Sequence, residues 1–180
     1  QELAAPNSAR RFVVLHLNGS HGPEYFRKYP DGFATFQPVC ETTLVDQCSA
    51  QALINAYDNS LRYTDWVLAQ LIDILDGLEG TQTMIFCPPS HTHTWAVNGL
   101  YLHGLPNSIA PEEQRSVPLL LWMDADFAQA RGIDPATLLR PIDTPQDRIF
   151  HTVLGAFGAQ SPVYRPEFDL LLPPTERALP

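Results

Sequence analysis

The chain is 180 residues long and carries 11 Lys and Arg against 20 Asp and Glu, a net charge of −9. That balance excludes a nucleic-acid binder, because a polyanion calls for a clustered basic face and no basic run exceeds Arg10-Arg11. No stretch reaches the roughly 20 consecutive apolar residues of a membrane span, and the length predicts a single domain over 1–180 that buries about two-thirds of its unfolded surface.

Seventeen prolines and ten glycines sit in a chain that is 44% apolar, so long ordered loops are expected rather than disorder. The start at Gln1-Glu2-Leu3 shows neither an initiator Met nor a signal-peptide pattern, and the chain is expected to be cut from something longer. Gln1 to Arg10 is a polar approach segment. Phe12-Val13-Val14-Leu15-His16-Leu17 predicts a strand buried on both faces. Asn18-Gly19-Ser20-His21-Gly22-Pro23 follows, and its two glycines allow a sharp turn and a close approach to a ligand. It is one residue short of the Gly-x-Ser-x-Gly of a hydrolase elbow.

Tyr25 to Val39 has aromatics and prolines without periodicity, which predicts a long loop that either lines a site or packs on the surface. Cys40 and Cys48 flank a polar segment of seven residues. A bridge closing so short a loop would add roughly 2–3 kcal/mol in an oxidising compartment. The spacing alone leaves it open against two separate thiols. Three-and-four spacing of Leu53, Ile54, Tyr57, Leu61, Val67, Leu68, Leu71, Ile72, Leu75 and Leu78 predicts a helix over Ser49 to Leu78, ended by Gly77 or Gly80. Asn55, Asp58, Asn59, Arg62 and Asp65 are read as its solvated flank.

Thr81 to Phe86 predicts a second strand that must finish by Cys87, because Pro88 and Pro89 cannot donate to a ladder. It opens into a loop carrying His91, His93 and His103 with no carboxylate between Thr81 and Ala110. A buried strand delivering polar groups at its carboxyl end is how open α/β sheets build crevices, and imidazole is the commonest metal ligand. Val117 to Trp122 predicts a third strand, Ala125 to Ala130 a short helix, Pro145 to Gly155 a further helix, and Ser161 to Pro180 a proline-rich finish. His151 falls among apolar neighbours and is read as a packing residue. Strands alternating with helices predict an α/β layered architecture with a largely parallel sheet.

His16-Leu17-Asn18-Gly19-Ser20-His21-Gly22-Pro23, Tyr29-Pro30, Pro38-Val39-Cys40, Cys48, Leu53-Ile54-Asn55-Ala56-Tyr57-Asp58-Asn59 and Asn98-Gly99-Leu100-Tyr101-Leu102-His103-Gly104 stand in one order. The set resembles the bacterial phosphoethanolamine transferases, from about Arg11 to about Leu171. The resemblance implies an alkaline phosphatase and sulfatase-like layered sheet with flanking helices, present here as the carboxyl-terminal portion of a periplasmic catalytic domain. An amino-terminal segment absent from this chain would anchor the protein in the bacterial inner membrane.

The same resemblance implies zinc, and transfer of phosphoethanolamine from phosphatidylethanolamine to lipid A or a related glycan through a phospho-threonine. The Glu ligand and the attacking Thr would lie upstream of the first matched motif, so this chain alone is expected to be inactive. His91 matches a zinc-ligating His, while Ser90 stands where the family has an Asp. His21 and His103 match histidines suited to a phosphoryl group or a second zinc, His16 matches another, and Cys40 and Cys48 match a family disulfide. Three readings of Cys87 to Ala96 remain: a relative that keeps the fold without catalysis, a site in which His93 supplies the replacement nitrogen, or a shifted reading frame. Two other functions stand beside the transferase, a non-catalytic module binding anionic lipid or glycan head groups and a metal-dependent phosphatase or sulfatase.

Overall fold

A computed structural model of the chain describes residues 10–88, 119–139 and 147–172. These fall into two compact units, 13–77 with 87–120 and 1–12 with 78–86 and 121–180. Each is described by itself.

The first unit is built on α1, Ala50–Asp76. Ser49 caps it, its hydroxyl accepting from Ala52 N at 3.2 Å, and Gly77 ends it with its amide on Asp73 O. The helix runs within two residues of the span that the apolar spacing predicts. Leu53 and Ala56 bury its inner face. Cys40 and Cys48 form a disulfide with a Cα separation of 5.7 Å, packed with Val45, Ala52 and Leu53.

The Tyr25 to Val39 segment is a packed loop with two 3-10 turns, Tyr25–Arg27 and Asp31–Phe33, both lying against α1. Phe33 meets Tyr63 and Trp66 edge-on at 5.0 and 5.7 Å between ring centroids. Two asparagines of α1 fasten the rest of the loop, and here the solvated-flank reading is corrected. Asn59 is 0% exposed, its Oδ1 accepting from Thr35 N at 3.0 Å and Phe36 N at 2.9 Å. Its Nδ2 donates to Phe36 O at 3.0 Å and to Tyr29 Oη at 3.3 Å. One turn earlier Asn55, also buried, donates to Pro38 O at 2.8 Å and accepts from Gln51 Nε2 at 2.9 Å. A carboxamide carries donors and an acceptor together, so it can serve loop backbone that has no ladder of its own. Arg62 and Asp65 are exposed, as the periodicity predicts.

The predicted first strand is also corrected. Residues 12–17 form no regular strand, and Phe12, Val13, Val14, Leu15 and Leu17 are exposed, Val14 at 74%. A strand buried on both faces needs neighbours along both edges, and among the described residues none pairs with this run.

In the second unit β1, Met84–Cys87, pairs with β2, Leu120–Met123. The predicted strands over 81–86 and 117–122 are thus each displaced toward the carboxyl end, and β1 stops at Cys87 before the prolines. Asp124 closes the sheet onto α2, Ala125–Ala130. Its Oδ1 caps Phe127 N at 2.6 Å, while Oδ2 accepts from Thr83 Oγ1 at 2.5 Å and from the Thr83 amide.

The last helix, α3, spans Asp147–Ala156. Its exposed carbonyls are met by cations, as a helix carboxyl end favours: Arg131 donates to Gly155 O at 2.8 Å and to Ala156 O, and Arg10 donates to Phe157 O. His151 is buried, stacked on Phe168 with its Nδ1 accepting from Arg165 N at 3.1 Å. That is the packing role read from its neighbours. Asp169, 1% exposed, accepts from Tyr164 Oη at 2.6 Å and Leu171 N at 2.8 Å. Burial, then the hydrogen bond to Asp169 and its charge, push the Tyr164 phenol well above its usual range.

Candidate functional site

Asn18 to Pro23 forms the tight turn that the paired glycines predict. His21 N donates to Asn18 O at 3.1 Å, and Gly19 takes a φ of +42°, which favours a residue without a Cβ. Gly22 precedes Pro23 through a cis bond. A Cβ added at Gly22 would strike the Tyr25 hydroxyl and lie 2.5 Å from Cζ and 3.0 Å from Cε2, so any other residue here would have to displace the Tyr25 side chain.

The candidate phosphoryl-binding His21 is exposed where the turn closes, and its Nδ1 lies 2.9 Å from Gly22 O. Beside it, Ser20 Oγ is buried with no hydrogen-bond partner among the described residues. An orphaned hydroxyl is costly unless a ligand or water meets it, and a phosphoryl oxygen is one group that would. Below the turn, Tyr25 is 5% exposed and meets Tyr57 of α1 edge-on at 5.6 Å. Burial, and then Tyr57, push the Tyr25 phenol up to about 12. The Tyr57 phenol is raised as well, by burial and then by Asp58.

His16 is exposed. His91, His93 and His103, with Ser90, lie outside the described residues. Among the described residues no group of three or more His, Cys, Asp and Glu is placed to hold a metal ion, so these residues do not fit a zinc centre by themselves. Cys87, at the end of β1, is in no disulfide. Among the described residues no helix is long and apolar enough to cross a membrane. Sequence reasoning missed Ser20, Tyr25, Asn55 and Asn59. The signal for the asparagines was their four-residue spacing on a helix next to a loop without periodicity.

The sulfatase family pattern matches residues 1–159, and the chain belongs to that family. It is similar to the phosphoethanolamine transferase EptA of Salmonella typhimurium, 39% identical over 166 residues that make up 89% of this chain and 30% of that protein. Among solved structures it is similar to the C-terminal periplasmic domain of phosphoethanolamine transferase EptC from Campylobacter jejuni. There the TM-score is 0.81 at 39% identity, covering 93% of this chain and 53% of that one. It is also similar to the integral membrane protein lipooligosaccharide phosphoethanolamine transferase A from Neisseria meningitidis, with a TM-score of 0.80 at 33% identity over 85% of this chain and 29% of that one. The sulfatase-like fold and the resemblance to phosphoethanolamine transferases read from the motifs are both borne out. The chain spans about a third of the length of the curated relative and about half of the solved periplasmic domain.

Proposed function

We propose that the chain is the carboxyl-terminal portion of the periplasmic catalytic domain of a bacterial inner-membrane phosphoethanolamine transferase. The observation that carries this reading is the similarity along 89% of the chain to a transferase of that class, with a fold match of 0.81 to a periplasmic domain of another. The reaction moves phosphoethanolamine from phosphatidylethanolamine to lipid A or a related glycan, by way of a phosphorylated threonine contributed from outside 1–180.

In this reading His21, with His103 and His16, meets the phosphoryl oxygens. The charge of a transferring phosphoryl group is spread over its equatorial oxygens, and fixed hydrogen-bond donors aimed there stabilise it without reorganising. Ser20 Oγ, buried beside His21 and without a partner among the described residues, supports that assignment. Zinc would be the cofactor, and His91 would hold it from this chain with His93 in place of the carboxylate that Ser90 replaces. When bound it supplies Lewis-acid polarisation of a phosphoryl oxygen. Removing an anionic donor lowers charge compensation at the metal, so zinc is held more weakly than by an Asp-His pair.

Zinc titration by calorimetry tests the ligand assignment: micromolar or tighter binding that His91→Ala abolishes is expected. The chain assayed alone with a phosphoester is expected to be inert. Sustained zinc-dependent turnover by the isolated chain would refute the assignment of the nucleophile to another segment.

A further inference from the structure

We propose that Tyr25 is a positioning residue for His21: its ring, packed beneath Gly22, holds the Gly22 carbonyl on the Nδ1 proton of His21, so that Nε2 is the nitrogen presented to a phosphoryl oxygen. The inference rests on the phosphoryl role given to His21 above and extends it to a specific atom and a specific support.

A carbonyl oxygen only accepts, so the 2.9 Å contact from His21 Nδ1 to Gly22 O requires the proton on Nδ1. A backbone carbonyl on one imidazole nitrogen is how a protein selects the tautomer and aims the other nitrogen. With neutral imidazole, Nε2 then carries the lone pair. With imidazolium, it becomes the donor that a phosphoryl oxygen accepts from.

The carbonyl is in turn fixed from below. The absent Cβ of Gly22 leaves the space that the Tyr25 phenol fills, with Oη nearest and Cζ 2.5 Å and Cε2 3.0 Å from where a Cβ would sit. Tyr25 cannot yield this position easily, because it is buried and packed edge-on against Tyr57 on the long helix α1. The turn also has its own hydrogen bond, His21 N to Asn18 O at 3.1 Å, so His21 is tied on its amino-terminal side while the Tyr25 ring bears on Gly22 from the other. The resulting order of support runs from α1 through Tyr57 and Tyr25 to Gly22 and then to His21. The close approach of Tyr25 and the acceptor for His21 Nδ1 thus meet at one residue, Gly22.

The test uses the 180-residue chain, labelled at its histidines, with ring nitrogens read from long-range proton–nitrogen correlation spectra. Wild type is expected to show the neutral His21 ring as the Nδ1–H tautomer. Gly22→Ala, whose Cβ strikes the Tyr25 ring, is expected to shift His21 to the mixture of a solvent-exposed histidine. Tyr25→Leu is expected to do the same by removing the support, and Tyr25→Phe to retain the wild-type tautomer because the ring remains. Combining Gly22→Ala with Tyr25→Leu refills the space under the turn and is expected to restore Nδ1–H, a rescue that a general loss of folding would not give.

Inorganic phosphate serves as the probe. It is expected to shift Nε2 in wild type and to bind about tenfold more weakly to Gly22→Ala, the usual scale for loss of a supporting contact. An Nε2–H tautomer in wild type, or Nδ1–H retained in both Gly22→Ala and Tyr25→Leu, overturns the positioning. Tautomers that respond as expected while phosphate leaves His21 unmoved overturn the phosphoryl role of His21, and with it the presentation of Nε2.

Discussion

Replacing Asn59 by Ala is expected to release the loop that runs from Tyr29 to Pro38. The side chain is wholly buried and engages the amides of Thr35 and Phe36, the Phe36 carbonyl and the Tyr29 hydroxyl. Truncation strands two donors and one acceptor of the backbone, each costing about 1–3 kcal/mol when buried away from water. Thr35 and Phe36 have exposed side chains, so water reaches part of the loop and each group falls near the low end. The expected loss is therefore about 2–4 kcal/mol, large for one substitution on a helix. Urea unfolding with the disulfide intact measures it, and hydrogen exchange at the Thr35 and Phe36 amides shows whether the loop is what opens. Asn59→Asp is the informative partner. It keeps both accepted bonds but turns a carboxylate oxygen toward Phe36 O, so its cost should shrink in acid, where the protonated carboxyl can donate. A loss below about 1 kcal/mol for Asn59→Ala, with unchanged exchange at both amides, would refute the claim that this side chain holds the loop.

Reducing the Cys40–Cys48 bridge removes a short cross-link and is expected to cost roughly 2–3 kcal/mol, read as a lower urea midpoint in reductant; an unchanged midpoint would count against its stabilising role. Alkaline pH is expected to act through Tyr25, whose phenol is raised from 10 to about 12 in the folded chain. Its contribution is complete below pH 10 and lost as pH rises through 12, a change of roughly 1–3 kcal/mol that Tyr25→Phe should flatten in pH-resolved unfolding. Gly155→Ala places a Cβ 2.7 Å from Asp169 Cγ, and the carboxylate cannot retreat because Tyr164 and the Leu171 amide hold it. An overpacking loss of about 1–3 kcal/mol is expected in thermal melts, and an unshifted melt would show that Asp169 yields.

The parts of the fold legible in the sequence are those whose signal is local. The three-and-four spacing and Ser49 define α1 to within two residues, and Pro88 marks the end of β1. Phe12 to Leu17 misled because an apolar run reports what a segment would bury and says nothing of whether neighbours flank it. Asn55 and Asn59 misled for the opposite reason: polarity suggested water, but the partners are backbone groups of a loop 17 to 24 residues upstream. At the site, the turn around Ser20 and His21 could be read from its glycines. The reason for Gly22 could not, since the obstacle is the Tyr25 side chain and appears only once the 3-10 turn Tyr25–Arg27 packs on α1. His91 and His103 stand on sequence resemblance, and His93 on its place two residues from His91.

The most direct test of the account is mass analysis of lipid A from bacteria expressing the full-length protein that carries this chain. The account predicts lipid A gaining phosphoethanolamine, with the gain lost in His21→Ala and in His91→Ala while the protein remains folded. Unmodified lipid A from a folded wild-type protein, or modification that persists in both variants, would contradict it.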